Sequence, residues 1–140
     1  MKEYATFGCI PYKNTPYGPL FLMVLNEAEE DHWEFPKGKK EEGETDKETA
    51  LRELKEETGL EGTISDEETI DFDFECVVRG EQLHKTVRYF YCEVSSDSEV
   101  DLQTEELGAY QWLGADEIED KATYSSMKDT ARKVREHFSR

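Results

Sequence analysis

Hydrophobic and polar residues alternate along residues 70–78, which is the pattern of a β-strand with one buried face. The apolar positions that share this face are Ile70, Phe72, Phe74, Cys76 and Val78. After a predicted loop at residues 79–82, the aromatic and β-branched residues of 85–94 predict a second strand that returns along the first. The two segments are therefore predicted to form an antiparallel pair.

Three further segments have the composition of strands. Residues 4–12 and 20–26 flank a turn-rich stretch that contains Pro16, Gly18 and Pro19. The second of them is apolar on both faces, as expected for a central strand. A shorter strand is predicted over residues 109–114.

A first helix is predicted between Thr45 and Gly59. Thr45 and Glu48 have the spacing of a capping box, in which each side chain bonds the backbone of the other residue. Gly59 suits the left-handed conformation that ends many helices, with Leu60 available for the accompanying apolar contact.

A second helix is predicted from about Ser126 to Phe138, since apolar residues recur there at helical spacing. These residues are Met127, Ala131, Val134 and Phe138, and we expect them in the core. The order of strands, helix, strands and helix predicts one α/β (α+β) domain over residues 1–140, with helices packed on a largely antiparallel or mixed sheet.

The charge balance limits the possible partners of this domain. The chain has 34 Asp and Glu against 17 Lys and Arg, which gives a formal net charge of −17. Such a charge repels nucleic acids and anionic membranes at long range, so neither is an expected partner. A phosphorylated ligand would need a metal ion or clustered lysines at its site.

The remaining bulk features predict a cytoplasmic protein without a membrane segment. We also expect a monomer, although the sequence itself does not reveal the oligomeric state. The longest apolar run, residues 20–25, is too short to span a bilayer, and the N-terminus lacks the apolar region of a signal peptide. The three cysteines, Cys9, Cys76 and Cys92, are unclustered and lie in apolar or alternating stretches. We expect them to be buried, reduced thiols and not zinc ligands.

The first predicted helix carries three carboxylates, Glu53, Glu56 and Glu57. Their spacing of three and four residues puts them on one side of the helix, where like charges destabilise each other. Mg²⁺ would neutralise them, because it binds carboxylate oxygens together with water and substrate phosphates. The alternative is a solvated acidic face with ion pairs to Arg52 and Lys55.

The flanking residues favour the metal site. Gly38, Glu44 and the segment 52–60 resemble the Nudix hydrolase signature at every fixed position. The resemblance implies a Nudix fold, a mixed sheet sandwiched between helices, with residues 38–60 as a loop–helix–loop. It also implies hydrolysis of a nucleoside diphosphate linked to another moiety, with Mg²⁺ or Mn²⁺ as cofactor.

The same resemblance implies roles for individual residues. The metal ligands would be Glu53, Glu56, Glu57, the Gly38 carbonyl and Glu106, which stands outside the signature and has Glu105 as its rival. The catalytic set would be Arg52, Glu53, Glu57 and Glu106. Arg52 would hold a catalytic glutamate in place, supported by Glu44, and the identity of the general base stays open.

Residues 32–44 resemble Nudix enzymes that act on long polyphosphates, which include dinucleoside polyphosphate and diphosphoinositol polyphosphate hydrolases. The segments 85–94, 105–118 and 122–128 resemble asymmetrical diadenosine tetraphosphate hydrolases. The resemblance implies cleavage of diadenosine tetraphosphate to ATP and AMP. The implied substrate-binding residues are His32, Lys37, Lys39 and Lys85 near the phosphates, with Lys40 adding charge, and Tyr89 and Tyr124 at the adenine. Phe74 is the candidate for a tyrosine that these relatives carry before the strand of Lys85. The alternatives are solubilising lysines, a packed histidine and core aromatic residues.

Other functions are compatible with the signature. They include Nudix pyrophosphohydrolases that act on nucleoside triphosphates, on diphosphoinositol polyphosphates or on capped RNA. The acidity of the chain disfavours the RNA substrate, because the sequence offers no stripe of basic residues along which an RNA strand could bind. A non-catalytic nucleotide-binding Nudix module is disfavoured, since this chain retains every glutamate of the signature.

Overall fold

The computed structural model describes residues 1–28 and 30–140, which form a mixed sheet with helices on both faces. In chain order the elements are β1 (Lys2–Thr15), β2 (Gly18–Asn26), β3 (His32–Glu34), β4 (Lys37–Lys39), α1 (Asp46–Thr58), β5 (Thr69–Val78), β6 (Glu81–Glu93), β7 (Leu107–Gly114), α2 (Ile118–Lys121) and α3 (Ser125–Phe138). None of the helices in this described part has the length and apolar content needed to cross a membrane.

The sheet has seven strands, and its main path runs β3-β2-β1-β6-β5. β1 and β6 are parallel neighbours, whereas β5 pairs antiparallel with β6. β7 pairs with β2, and β4 pairs with β1. β1 pairs with β2 only next to their turn, from Tyr12 to Thr15, because β4 occupies the same edge from Thr6 to Gly8. This exchange of partners brings β4 and the start of α1 beside β1.

The mixed sheet, the five predicted strands and the two predicted helices are confirmed. The short elements β3, β4 and α2 were not predicted, because three or four residues are too few for a hydrophobic period. The predicted loop at residues 79–82 is tighter in the structure. Arg79 and Gly80 both have positive φ angles, 53° and 79°, so they form a two-residue hairpin turn and β6 starts at Glu81.

α1 begins and ends as its sequence predicts. The Thr45 hydroxyl accepts a hydrogen bond from the Glu48 N–H at 3.2 Å, and the Glu48 carboxylate accepts one from the Thr45 N–H at 2.9 Å. Gly59 adopts a φ of 77°, and its N–H donates to the Lys55 carbonyl at 2.8 Å. Leu60 is buried directly after it. Both ends of the helix that carries the three carboxylates are therefore fixed by its own sequence.

Two apolar clusters fill the two faces of the sheet. On one face Ala50 and Leu54 of α1 are fully buried against the sheet, in a cluster with Leu22 and Phe90. On the other face α3 contributes the predicted core residues Met127, Ala131 and Val134. The fourth, Phe138, is partly buried against the same cluster. α1 and α3 thus cover opposite faces, as a sheet sandwiched between helices requires.

The cysteine prediction was wrong for two of the three residues. Cys9 and Cys92 are fully buried, as expected, but they form a disulfide between β1 and β6, with their Cα atoms 5.7 Å apart. Cys76 is free, as expected, but it is only partly buried. Their pairing depends on the parallel register of β1 and β6, in which Pro11 is the partner of Cys92, and no local pattern reveals that register. The cysteines therefore give no argument for a reducing compartment.

We predict that Thr45→Ala lowers the free energy of unfolding by about 1 kcal/mol, because the Glu48 N–H loses its acceptor. Urea denaturation followed by circular dichroism measures the change. Thr45→Ser is the matched control and should retain most of the stability, since it keeps the hydroxyl. Equal losses in the two variants would contradict a role of this hydroxyl in capping.

Candidate active site

A cavity of about 310 Å³ opens where β1, β4 and β6 meet α1. Its wall carries acidic, basic and aromatic side chains side by side. They are Glu53, Glu57 and Glu106, then Lys37 and Lys85, then Tyr4 and Phe74. With Gly38, six residues that the sequence assigned to metal or phosphate binding therefore line one cavity, although they come from four separate segments.

Gly38 lies against the carboxyl group of Glu53. In the β1–β4 pair it stands opposite Phe7, and a Cβ atom at this position would overlap the Glu53 carboxylate. Only glycine leaves room for a carboxylate this close to the backbone of β4. The structure thus gives a steric reason for the glycine, while metal binding by its carbonyl stays a prediction.

Arg52 connects α1 to the loop before it. Its guanidinium makes two bonds to the Glu44 carboxylate, from Nε at 2.6 Å and from Nη2 at 3.1 Å. Nη2 also donates to the Lys39 carbonyl at 2.7 Å. The bond from Arg52 is the main reason that the pKa of Glu44 falls to about 2. Glu44 is held further by the Thr49 hydroxyl at 3.0 Å, so the guanidinium has a fixed anchor.

The three signature carboxylates are not equivalent. Arg52 Nη1 donates to Glu53 and to Glu56, each at 3.0 Å. The Glu56 side chain is 54% exposed and does not belong to the cavity wall, whereas the Glu53 side chain is only 16% exposed. Glu57 is the deepest of the three, and among the described residues its Oε2 atom is buried without any hydrogen-bond partner. The structure therefore brings Glu53 and Glu57 together and leaves Glu56 at the rim.

The electrostatics of this pair favour a cation. Burial raises the pKa of Glu57 to about 9, and the negative charge of Glu53 adds to the rise. Burial likewise raises the pKa of Glu53, although Arg52 opposes the shift. A divalent cation would reverse both effects, because it favours the ionised carboxylates. The unpaired Glu57 oxygen and the oxygen-only donor set therefore fit a hard cation such as Mg²⁺.

These carboxylates are not preassembled into a ligand cluster. Within the described ranges, no group of three or more His, Cys, Asp or Glu side chains is arranged to hold a metal ion. Arg52 bonds Glu53 and Glu56 instead. Mg²⁺ commonly takes one or two carboxylates and completes its shell with water and phosphate oxygens, so two carboxylates such as Glu53 and Glu57 would suffice to hold it.

Glu106 reaches the cavity because its loop bonds the end of α1. The N–H groups of Asp101 and Gln103 donate to the carbonyls of Thr58 and Glu57, at 2.9 and 3.0 Å. These bonds satisfy carbonyls that the end of a helix leaves without intrahelical partners. Glu106 lies on the cavity wall, and its rival Glu105 does not.

Lys37 is held at the cavity by Glu34, a residue that the sequence analysis missed. The Glu34 carboxylate, only 4% exposed, accepts from Lys37 Nζ at 3.0 Å and from Asn26 at 2.9 Å, and lies 3.2 Å from His32 Nε2. Burial alone would raise the pKa of Glu34, but the bond from His32, the charge of Lys37 and the bond from Asn26 together lower it to about 2. The one signal in the sequence is the position of Glu34 between Trp33 and Phe35, because a glutamate between two aromatic residues hints at a buried charge.

His32 and Tyr124 lie together, away from the wall of this cavity. Their ring centroids are 4.8 Å apart with a tilt of 34°, and the Tyr124 hydroxyl donates to Glu30 at 2.5 Å. The Tyr124 side chain remains 39% exposed. Stacking of an adenine base on Tyr124 stays a prediction. The ring of His32 lies next to the tyrosine ring on which the base would stack.

The prediction that Tyr89 stacks on adenine was wrong. Tyr89 has no exposed surface, and its hydroxyl donates to the Phe35 carbonyl at 3.0 Å within the core. The aromatic residues on the cavity wall are instead Tyr4 and Phe74. Tyr4 was missed because only the parallel pairing of β1 with β6 brings it to Lys85.

Lys39, Lys40 and Lys85 surround the same region. The ammonium groups of Lys39 and Lys85 lie 4.0 and 5.3 Å from the centroid of the Tyr4 ring. Lys40 instead bonds Asp46 at 2.6 Å and lies over Phe7. The cations expected at the phosphates thus differ in whether a carboxylate neutralises them.

Comparison with known proteins places this geometry in one family. The family model described as NUDIX domain matches residues 4–134. The chain is 39% identical over 112 residues to the asymmetrical bis(5'-nucleosyl)-tetraphosphatase of Mus musculus, covering 79% of this chain and 74% of that protein. It is 34% identical over 115 residues to an RNA pyrophosphohydrolase of Sulfurovum sp., covering 76% and 73%.

Solved structures share the fold. An Ap4A hydrolase of C. elegans in a binary complex superimposes with a TM-score of 0.83 at 24% identity, covering 97% of this chain and 98% of that one. The E. coli dihydroneopterin triphosphate pyrophosphohydrolase gives a TM-score of 0.74 at 22% identity, covering 97% and 99%. At these identities the likeness concerns the arrangement of strands and helices alone.

We predict that Glu57→Gln lowers turnover at least ~100-fold while the protein stays folded, because the cavity loses its most buried carboxylate. The Mg²⁺-dependent rise in melting temperature should also shrink. Glu42→Gln, at an exposed position in the loop before α1, is the matched control. Unchanged turnover in Glu57→Gln would remove this residue from the active site.

We predict that His32→Gln destabilises the protein more at about pH 5.5 than at about pH 9. The bond to Glu34 is the main reason that the pKa of His32 lies above its ordinary value of 6.5. A raised folded-state pKa stabilises the protein below the unfolded pKa, and this contribution disappears as the pH rises through the folded pKa. Urea denaturation at both pH values measures the difference.

The control for this prediction is the same substitution in a Glu34→Gln background. There the pH dependence of the loss should be smaller, because the histidine no longer has its carboxylate partner. An equal loss at both pH values in the wild-type background would contradict the coupling of His32 to Glu34.

Proposed function

Because the chain belongs to the Nudix hydrolase family, whose members act on phosphoric anhydride bonds, we propose that it cleaves diadenosine tetraphosphate asymmetrically, to ATP and AMP, with Mg²⁺ as cofactor. One observation carries the proposal: the partly buried Glu53 and Glu57 face the same cavity as Lys37 and Lys85. Carboxylates that need a cation suit a metal-bound polyphosphate when they stand beside Lys85, which no carboxylate neutralises within the described residues, and beside Lys37, which Glu34 holds at the wall. Mn²⁺ is the expected substitute.

The choice of substrate is supported by the relatives. The printed name of the Mus musculus protein is that of an asymmetrical tetraphosphatase, and similar matches are found in Rattus norvegicus and Sus scrofa, each at 39% identity. The residues expected at the phosphates, Lys37 and Lys85, lie on the cavity wall. A long polyphosphate suits this wall because it offers oxygens to both lysines while part of it is bound to the metal.

The proposed chemistry divides the work between the two kinds of side chain. A bound divalent cation would neutralise the phosphate charge, polarise the attacked phosphorus and lower the pKa of a water molecule. Glu53 and Glu57 would hold that cation. Glu57 or Glu106 is placed to accept a proton from an attacking water, because both carboxylates line the cavity and neither has an arginine partner among the described residues.

Arg52 would act on the reaction indirectly, by orienting carboxylates of the site. Its bidentate pair with Glu44 fixes the guanidinium, and the guanidinium in turn orients Glu53 and Glu56. A planar guanidinium with several donors suits this task better than a lysine, which offers one point charge. This arrangement explains how one arginine can keep two repelling carboxylates on one side of α1.

Hydrolysis of the 5′ end of RNA is the second candidate, supported by the relative from Sulfurovum sp.. The net charge of −17 opposes it, because a strand leaving the cavity would meet an acidic surface. A protein that binds RNA through its phosphates shows a steep loss of affinity with salt. Salt dependence therefore separates the two candidates independently of the products.

We predict that incubation with Mg²⁺ and diadenosine tetraphosphate yields ATP and AMP in equal amounts, resolved by ion-exchange chromatography. Nucleoside triphosphates, diphosphoinositol polyphosphates and 5′-triphosphorylated RNA form the comparison panel. The Glu57→Gln variant is the negative control for each substrate. Two molecules of ADP, or turnover of another panel member with none of diadenosine tetraphosphate, would overturn the proposed substrate.

A further inference from the structure

We propose that Tyr4 is a positioning residue of the active site. Its ring holds the ammonium groups of Lys39 and Lys85, which reach it from the two strands that flank β1, as a receptor for the phosphates that extend beyond the metal. The inference rests on the proposed function, since it assumes that a polyphosphate enters this cavity. Tyr4 lies outside the Nudix signature, and it would serve the phosphates of the substrate that are not bound to the metal.

The sheet register places Tyr4 in a row with two other residues of the cavity wall. Tyr4 of β1 is the partner of Lys85 in the parallel β1–β6 pair, and Phe74 of β5 is the partner of the same lysine on the other side. Partners in adjacent strands point to the same face of a sheet. The Lys85 side chain therefore rises between two aromatic residues, and all three line the cavity.

The Tyr4 ring contacts two cations from two different strands. Lys39 Nζ, from the end of β4, lies 4.0 Å from the ring centroid, and Lys85 Nζ lies 5.3 Å from it. Both distances fall within the roughly 6 Å over which an ammonium group is attracted to an aromatic face. Two like charges near one ring repel each other, so this attraction offsets part of the repulsion that would otherwise separate them.

The neutral ring holds these lysines without cancelling their charge. Lys37 is paired with Glu34 and Lys40 with Asp46. In the described part of the chain, by contrast, neither Lys39 nor Lys85 has a carboxylate within ion-pair distance. In a protein of net charge −17, two uncompensated ammonium groups beside a carboxylate cavity are a specific anion site.

The position of this pair indicates the chemical class of its ligand. Phosphates bound to the metal would lie at Glu53 and Glu57, whereas Lys85 and Tyr4 stand on the sheet wall of the same cavity. A ligand that contacts both places must carry phosphates in a chain. Tyr4 is thus expected to favour substrates with three or more consecutive phosphates over those with two.

The test compares Tyr4→Leu with Tyr4→Phe. Phenylalanine keeps the aromatic face and leucine removes it. We expect Tyr4→Leu to raise the KM for diadenosine tetraphosphate about five- to tenfold with kcat changed less than about twofold, and Tyr4→Phe to resemble wild type. Tyr17→Leu, at a fully exposed tyrosine, is the matched control. Equal KM effects of leucine and phenylalanine at position 4 would overturn the role of the ring face.

A double-substitution cycle separates positioning from a structural role. In a Lys39→Met/Lys85→Met background, Tyr4→Leu should cause no further rise in KM, because the cations that it positions are gone. A loss that persists in this background would identify Tyr4 as a packing residue only. The pair Lys13→Met/Lys121→Met removes two lysines that lie 4.2 and 4.1 Å from the rings of Trp112 and Trp33, and it controls for the change in net charge.

A binding measurement keeps this inference distinct from the proposed function. Calorimetry with inorganic tetrapolyphosphate and Mg²⁺ reports the anion site without requiring hydrolysis. Tyr4→Leu should weaken tetrapolyphosphate binding about five- to tenfold and pyrophosphate binding less than about twofold. If wild type binds tetrapolyphosphate in this way but does not hydrolyse diadenosine tetraphosphate, only the proposed substrate fails. Equal weakening for the two anions, or none, would overturn the inference itself.

Discussion

The bidentate ion pair between Arg52 and Glu44 is the contact on which the active site depends. One guanidinium joins α1, the loop before it and the Lys39 carbonyl at the end of β4. Through its remaining nitrogen, Nη1, it also donates to Glu53 and Glu56. Without this pair the repulsion between the carboxylates of α1 would be unopposed, and the loop would be held to the helix only by weaker contacts such as the Thr49–Glu44 bond. The bidentate geometry requires the planar fork of arginine and a carboxylate held still by Thr49.

The parts of the structure that depend on neighbours in sequence could be predicted. The capping box at Thr45 and the left-handed Gly59 set the ends of α1, and the spacing of the glutamates along it follows from helical geometry. Gly38 and Glu44 come from the loop directly before the helix, so the signature folds onto itself. Strands β5 and β2 could also be predicted, β5 from its alternation of apolar and polar residues and β2 from its apolar run, because each is long enough to show its pattern.

The parts of the structure that depend on contacts between distant segments could not be predicted from the sequence. Tyr4 meets Lys85, and Cys9 meets Cys92, only through the parallel register of β1 and β6. Glu34 gains its role from Asn26 on the neighbouring strand and from Lys37 beyond β3. Tyr89 was misassigned for the same reason: its face of β6 points into the core where Phe35 covers it, and nothing near it in the chain shows that cover.

The parallel ladder between β1 and β6 also constrains the order in which the protein can fold. It joins Lys2 to Leu83 and Tyr12 to Glu93, so the first strand of the chain gains its longest neighbour only after most of the polypeptide exists. On the ribosome the signature loop and helix can form from contiguous residues, whereas the wall with Tyr4 and Lys85 must wait for β6. Contacts between residues so far apart in the sequence slow folding, and they leave β1 without its β6 partner for longer. The carboxylates of α1 are thus local in sequence, whereas the wall proposed to hold the distal phosphates, and after it Glu106, join the site only later.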